Sequence, residues 1–144
     1  MDYLNCKWEN DTTVPESIVE EVSKMLSIDM VDLSNEIMET INNLGRLNRT
    51  LYQINVEITD LENDIKKEKM RSLTYYLEQY PKKLSATELK YAIDADQDIC
   101  KVEAQLKIAN ARYTYFKETS DVLKSKLHGI REIIKWEMYT QGND

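Results

Sequence analysis

Two stretches of the chain place apolar side chains at alternating steps of three and four residues. The first stretch keeps this rhythm at Leu44, Leu47, Leu51, Ile54, Ile58, Leu61 and Ile65. The second keeps it at Ile99, Val102, Leu106, Ala109, Tyr113, Phe116, Ser120, Leu123, Leu127, Ile130 and Ile134, where only Ser120 is polar. Steps that average 3.5 residues hold one stripe of a helix against a partner helix. The pattern predicts an all-α chain whose core is a long, antiparallel, coiled-coil-like helical hairpin.

Proline and capping residues set the predicted ends of these helices. Pro81 lacks a backbone N–H and disfavours helical geometry at Tyr80, so it ends the first long helix. The segment 85–88 reads Ser-Ala-Thr-Glu, the capping-box pattern that starts a helix. We therefore predict long helices over about 30–80 and 86–139.

A shorter helix is predicted before the hairpin. Ile18, Val22 and Met25 follow helical spacing, and Pro15 is tolerated in a first helical turn. The expected organisation has three parts: an acidic mobile arm over residues 1–13, a short helix over 14–28, and a hairpin over 29–144.

A second apolar stripe near the C-terminus predicts self-association. Val122, Ile133, Trp136 and Tyr139 lie on it, beside the main stripe. A helix with two apolar faces normally packs against two partners, and a slender hairpin leaves one of them uncovered. The candidate oligomerisation residues are Leu123, Leu127, Ile130, Ile133, Ile134, Trp136 and Tyr139.

Composition supports the helical interpretation and removes several classes of protein. The chain has three glycines and two prolines in 144 residues, too few for many turns or for a Gly-rich phosphate loop. It has no run of about 18 apolar residues, so we expect no membrane span. Cys6 and Cys100 show no motif spacing, which fits a reducing cytoplasm.

The net charge of −7 is unevenly distributed. Residues 1–40 carry two basic and ten acidic side chains, whereas residues 66–90 carry seven basic and three acidic ones. The chain is therefore an acidic head on a nearly neutral body with one basic zone, a distribution that bears on partners rather than on fold.

The basic zone mixes cations with tyrosines where the hairpin is expected to turn. Cations attract phosphates and aromatic faces stack on unpaired bases, as in sequence-independent single-strand binding. The other interpretation is a solvated helix end whose tyrosines belong to the core. The candidate DNA-binding residues are Lys66, Lys67, Lys69, Arg71, Tyr75, Tyr76, Lys82 and Lys83.

No catalytic or metal site is predicted. Asp94, Asp96 and Asp98 suggest calcium, but the Gly and Glu that an EF-hand loop needs at its sixth and twelfth positions are Ile99 and Gln105 here. His128 is the single histidine, and its neighbours do not form a metal pair. We expect neither enzymatic activity nor a cofactor.

Three blocks of the sequence, between Glu16 and Gly142, resemble the UvsY family of bacteriophage recombination mediator proteins. The first is residues 88–103, a polar helix start followed by a short Asp-rich segment and then Ile-Cys-Lys-Val-Glu. The second joins Leu123-Lys124-Ser125-Lys126 to Ile130 and to the closing segment 136–142. The third is Lys69-x-Arg71 shortly before Tyr75-Tyr76, although that pair stands one residue further from the tyrosines than in the family.

The resemblance implies a small helical protein that forms a ring-like homo-oligomer and binds single-stranded DNA. It also implies a partner recombinase of the RecA type and a phage single-strand DNA-binding protein that is displaced during loading. The setting would be the cytoplasm of an infected bacterial host. The alternative function is a structural coiled-coil adaptor that binds no nucleic acid, which the net negative charge favours.

Overall fold

The computed structural model describes Trp8 and residues 11–142, and this part of the chain contains helices and no strand. The helices are α1 (Glu16–Leu26), α2 (Leu33–Thr74), α3 (Ala86–Asp94) and α4 (Gln97–Gln141). A π-helical turn, Tyr75–Gln79, extends the end of α2. The all-α prediction is confirmed.

The long helices α2 and α4 form the predicted antiparallel hairpin. The ion pairs that cross between them include Glu36 with Lys126, Glu57 with Arg112, and Glu103 with Lys69. As the residue number rises along α2, that of its partner falls along α4, which defines the antiparallel register. At 1.5 Å per residue, each helix is on the order of 65 Å long.

The predicted stripes form the interface between α2 and α4. Leu47, Ile54, Phe116 and Leu123 are completely inaccessible to solvent, and every other stripe position is buried or half-buried. Ser120 is also buried, as the stripe requires. The alternating spacing alone therefore identified the core of the hairpin.

Helix α1 packs on the hairpin through Ile18, Val22 and Met25, which are all buried. It begins one residue after Pro15, whose carbonyl oxygen accepts from the backbone N–H groups of Ile18 and Val19. Pro15 precedes the first turn, rather than lying within it as predicted, and no side chain in the described part of the chain caps this helix.

Trp8, which lies within the mobile arm predicted over residues 1–13, packs against the hairpin. Its side chain is 7% exposed and belongs to the core, and its ring meets the ring of Tyr115 edge-on at 6.1 Å. Burial of a large aromatic surface fixes this point of the arm on α4. Residues 1–7, 9 and 10, which include Cys6, lie outside the described residues.

The predicted second long helix is two helices. Helix α3 ends at Asp94 and α4 begins at Gln97, with Asp96 as its N-cap residue. The Asp96 carboxylate accepts from the backbone N–H groups of Asp98 and Ile99. This side-chain cap replaces the hydrogen bonds that a continuous helix would make there. The predicted start at the 85–88 capping box is confirmed.

The first long helix also differs at its ends from the predicted range. Asp32 caps α2 at 3.0 Å from the backbone nitrogen of Asn35, so the helix begins at Leu33. Regular α-helix stops at Thr74, and the π-helical turn then continues until Tyr80 takes an extended conformation before Pro81. The break at Pro81 is where the sequence predicts it.

The C-terminal oligomerisation candidates fall into three groups. Leu123 and Ile130 are completely buried within the chain, so they stabilise the hairpin itself. Trp136 and Tyr139 are each 66% exposed, and their rings stack on each other at 6.1 Å. Leu127, Ile133 and Ile134 are half-buried. Only part of the predicted surface is therefore available to a second subunit.

Candidate nucleic-acid interface

The closed end of the hairpin is built from the last turns of α2, the π-helical turn, the linker at 80–85 and α3. Lys66 and Lys67 are exposed on α2, and Lys82 and Lys83 are exposed in the linker. Within the described part of the chain, none of these four ammonium groups has a carboxylate within 4 Å. They are available to an anionic ligand.

Lys69 and Arg71 differ from these lysines because both have acidic partners. The Lys69 ammonium lies 3.7 Å from the Glu103 carboxylate on α4. The Arg71 Nε donates to Glu68 at 2.6 Å, and its Nη2 reaches Asp96 at 3.3 Å and Asp98 at 3.4 Å. The sequence indicates Lys69 and Arg71 as candidate phosphate contacts, but it does not indicate that both side chains have acidic partners.

Asp96 anchors this ion-pair group. Although partial burial opposes its ionisation, hydrogen bonds from the backbone N–H groups of Ile99 and Asp98 lower the pKa of Asp96, as do the nearby Ser72 hydroxyl and the Arg71 charge. Contact with Glu68, followed by the charges of Asp96 and Asp98, raises the pKa of Arg71. Both shifts favour the charged forms of Asp96 and Arg71 near neutral pH.

Tyr75, Tyr76 and Tyr80 form an aromatic cluster at the end of the hairpin. Their ring centroids are 5.1 to 6.3 Å apart, and all three pairs meet edge to face. The π-helical turn is what brings these positions together, since Tyr80 donates its backbone N–H to the Tyr75 carbonyl oxygen. Tyr75 is 43% exposed and Tyr80 37% exposed, whereas Tyr76 is half-buried.

The structure adds neighbours that the candidate set lacked. Tyr80 completes the aromatic cluster. It follows Tyr75 by five residues and Tyr76 by four, a spacing that places all three on one side of a helical turn. Lys90 on α3 lines an open groove together with Lys69, and Tyr91 beside it is 68% exposed. These α3 residues come close to α2 because the chain breaks at Asp96.

The described residues contain no group of three or more His, Cys, Asp or Glu side chains that could hold a metal ion. None of the helices in the described part of the chain is both long and apolar enough to cross a membrane.

The chain is an antiparallel helical hairpin, and its closed end carries exposed cations and tyrosines. These features define an all-helical binding protein with a candidate surface for an anionic ligand. The chain belongs to the UvsY family: residues 21–143 match the family profile described as recombination, repair and ssDNA binding protein UvsY. The resemblance noted in the sequence is thereby confirmed.

Solved structures show the same fold. A crystal structure of the bacteriophage T4 recombination mediator protein UvsY, in lattice type IV, is 24% identical over 87% of this chain and 97% of that one, with a TM-score of 0.76. A second, in lattice type II, is 21% identical over 90% and 98% of the two chains, with a TM-score of 0.78. A search of curated proteins found no match.

Proposed function

We propose that this protein binds single-stranded DNA at the closed end of the hairpin. The observation that carries the proposal is the set of exposed, unpaired lysines on both sides of the tyrosine cluster. Lys66 and Lys67 precede the cluster, and Lys82 and Lys83 follow it. Cations that flank aromatic rings allow phosphates to be neutralised while bases stack, independently of sequence.

The tyrosines and the paired cations have different parts in this proposal. Tyr75 offers an exposed ring to a base, whereas half-buried Tyr76 supports it edge-on. Lys69 and Arg71 contribute further phosphate contacts from the same helix end.

Within the family's role, the protein acts as a recombination mediator in the cytoplasm of an infected bacterial host. It helps to load a RecA-like phage recombinase by displacing the phage single-strand DNA-binding protein. Several subunits in a ring-like homo-oligomer would multiply modest individual affinities, because linked sites bind one strand with a high effective concentration. Exposed Trp136 and Tyr139 support self-association at the other end of the hairpin.

The DNA-binding proposal is tested by titrating a labelled oligothymidine with the protein at two salt concentrations. Lys66→Ala combined with Lys67→Ala should weaken binding and reduce the log–log salt slope by about 0.7 for each phosphate that is no longer neutralised. The matched control is Lys24→Ala combined with Lys107→Ala, which removes the same charge from exposed positions outside the closed end.

Equal weakening in both double variants would mean that net charge, rather than the closed end, governs binding. A parent protein that does not bind the oligonucleotide at low salt would favour the coiled-coil adaptor. The mediator step is tested separately, by recombinase assembly on a strand already coated with the single-strand binding protein. The Lys66/Lys67 variant should fail to accelerate that assembly.

A further inference from the structure

Acidic side chains of α4 form ion pairs with two cations of the proposed DNA site. Glu103 lies 3.7 Å from Lys69, and Asp98 lies 3.4 Å from Arg71. Lys66, Lys67, Lys82 and Lys83 have no such partners in the described residues. The site therefore contains four available cations and two that already contact carboxylates.

A DNA phosphate needs the same donors that these carboxylates use. An arginine binds a phosphate best through two parallel N–H groups. In Arg71, Nε is engaged by Glu68 and Nη2 by Asp96 and Asp98. A phosphate that approaches Arg71 must therefore displace a carboxylate or accept fewer hydrogen bonds.

We propose that Asp98 and Glu103 act as internal competitors of DNA phosphate, and that strand binding exchanges these carboxylates for phosphates at Arg71 and Lys69. This inference rests on the proposed function. It assigns to two acidic residues of α4 the role of setting the affinity of the site.

The geometry identifies which acids can be exchanged. The Asp98 and Glu103 side chains are 64% and 49% exposed, so each can turn away into solvent when a phosphate arrives. Asp96 is only 16% exposed and caps α4, so it stays in place. Arg71 thus remains anchored by Asp96 and Glu68 while its Asp98 contact is replaced.

Such an exchange keeps binding reversible. Replacing one exposed ion pair by another yields little net free energy, because both are screened by water and salt. Removing the Asp98 or Glu103 carboxylate, by contrast, leaves the phosphate contact without that competing anion. The prediction is thus a gain of affinity when an acidic side chain is removed.

The test compares Asp98→Asn and Glu103→Gln with Glu78→Gln. Each variant removes one negative charge at the closed end, but Glu78 has no ion pair with Lys69 or Arg71. Asp98→Asn and Glu103→Gln should each bind oligothymidine roughly two- to fivefold more tightly than the parent at low salt. Glu78→Gln should produce a smaller gain through charge alone. The differences should shrink as salt rises.

Circular dichroism measures whether the variants keep their helicity. Asp98→Asn changes a residue in the first turn of α4, so it can perturb the start of that helix. Glu103 lies further along α4 and is exposed, so Glu103→Gln keeps the test valid in that case. If neither variant binds oligothymidine more tightly than Glu78→Gln, the proposal that Asp98 and Glu103 compete with phosphate is overturned. The proposed function is then still decided by the affinity of the Lys66/Lys67 double variant. A parent that does not bind at all would overturn both.

Discussion

Lys126 illustrates how single residues hold the short helix to the hairpin. Its ammonium lies 2.7 Å from the Glu36 carboxylate and 2.8 Å from the Met25 carbonyl oxygen, and so joins α4, α2 and α1. Both side chains of the ion pair are mostly buried, at 7% and 11% exposed. Burial of this kind makes removal of one partner costly, because the remaining charge stays out of water.

Lys126→Met should therefore destabilise the protein by about 2 kcal/mol, less than for a pair in a deep core because a groove open to solvent runs beside it. Urea denaturation followed by circular dichroism measures the change. Adding Glu36→Gln to Lys126→Met should restore part of the stability, since the uncompensated charge is then gone. No recovery in the double variant would contradict this account.

The same pair predicts a dependence of stability on pH. Contact with the Lys126 ammonium, only partly opposed by burial, lowers the pKa of Glu36 below its ordinary value of 4.5. A carboxylate with a lowered folded-state pKa contributes stability above its unfolded pKa, and this contribution disappears as pH falls through the folded pKa. The stability advantage of the parent over Glu36→Gln should thus shrink between about pH 6 and about pH 3. A pH-independent difference in the free energy of unfolding would refute the assignment.

At the scale of elements, Asp96 decides where one helix stops and the next begins. Its carboxylate caps α4 and also pairs with Arg71, so one side chain both starts the helix and ties it to α2. Ser72, which is buried on α2, places its hydroxyl near this carboxylate. The break between α3 and α4 therefore combines a local cap with an ion pair between distant parts of the chain.

Asp96→Ala should cost about 1–2 kcal/mol, the range expected when an N-cap is removed. Asp96→Asn should cost clearly less, because an amide oxygen can still cap the helix although the charge is gone. Chemical denaturation of the two variants side by side gives the comparison. Equal destabilisation would show that the ion pair with Arg71, rather than the cap, is the main contribution.

In the molecule as a unit, several large apolar side chains are exposed at the open end of the hairpin. Val31 is 94% exposed, Met38 65%, and Trp136 and Tyr139 each 66%. An apolar surface of this kind on a slender hairpin is typical of an interface between subunits. The mid-hairpin residue Tyr52 is equally exposed, at 72%, but stands apart from this end.

Trp136→Ala combined with Tyr139→Ser should shift self-association to protein concentrations at least about tenfold higher, because large aromatic residues dominate interface energies. Sedimentation velocity over a concentration series measures this shift, and circular dichroism should show unchanged helicity. Tyr52→Ser serves as the control and should leave assembly unchanged. A parent that sediments as a monomer at micromolar concentration would remove the basis of the oligomer proposal.

Local patterns in the sequence predict the helical stripes and the core of the hairpin. Three features depend on residues within a few positions of each other: the apolar helix stripes, the 85–88 capping box and the break before Pro81. Local sequence patterns are therefore enough to predict them. The same holds for the basic, tyrosine-rich composition of the closed end. The family resemblance added the expectation of a DNA-binding role to this local information.

Which of these side chains have a partner depends on how the helices pack. The tertiary structure placed Trp8 in the core, divided the last helix at Asp96, and set Glu103 against Lys69 and Asp98 against Arg71. The Trp8 contact and the two ion pairs join residues that are distant in sequence, and charge or apolar character alone does not specify a partner. Helical periodicity determines which face of α2 meets α4, but the register between the two helices determines which charges meet.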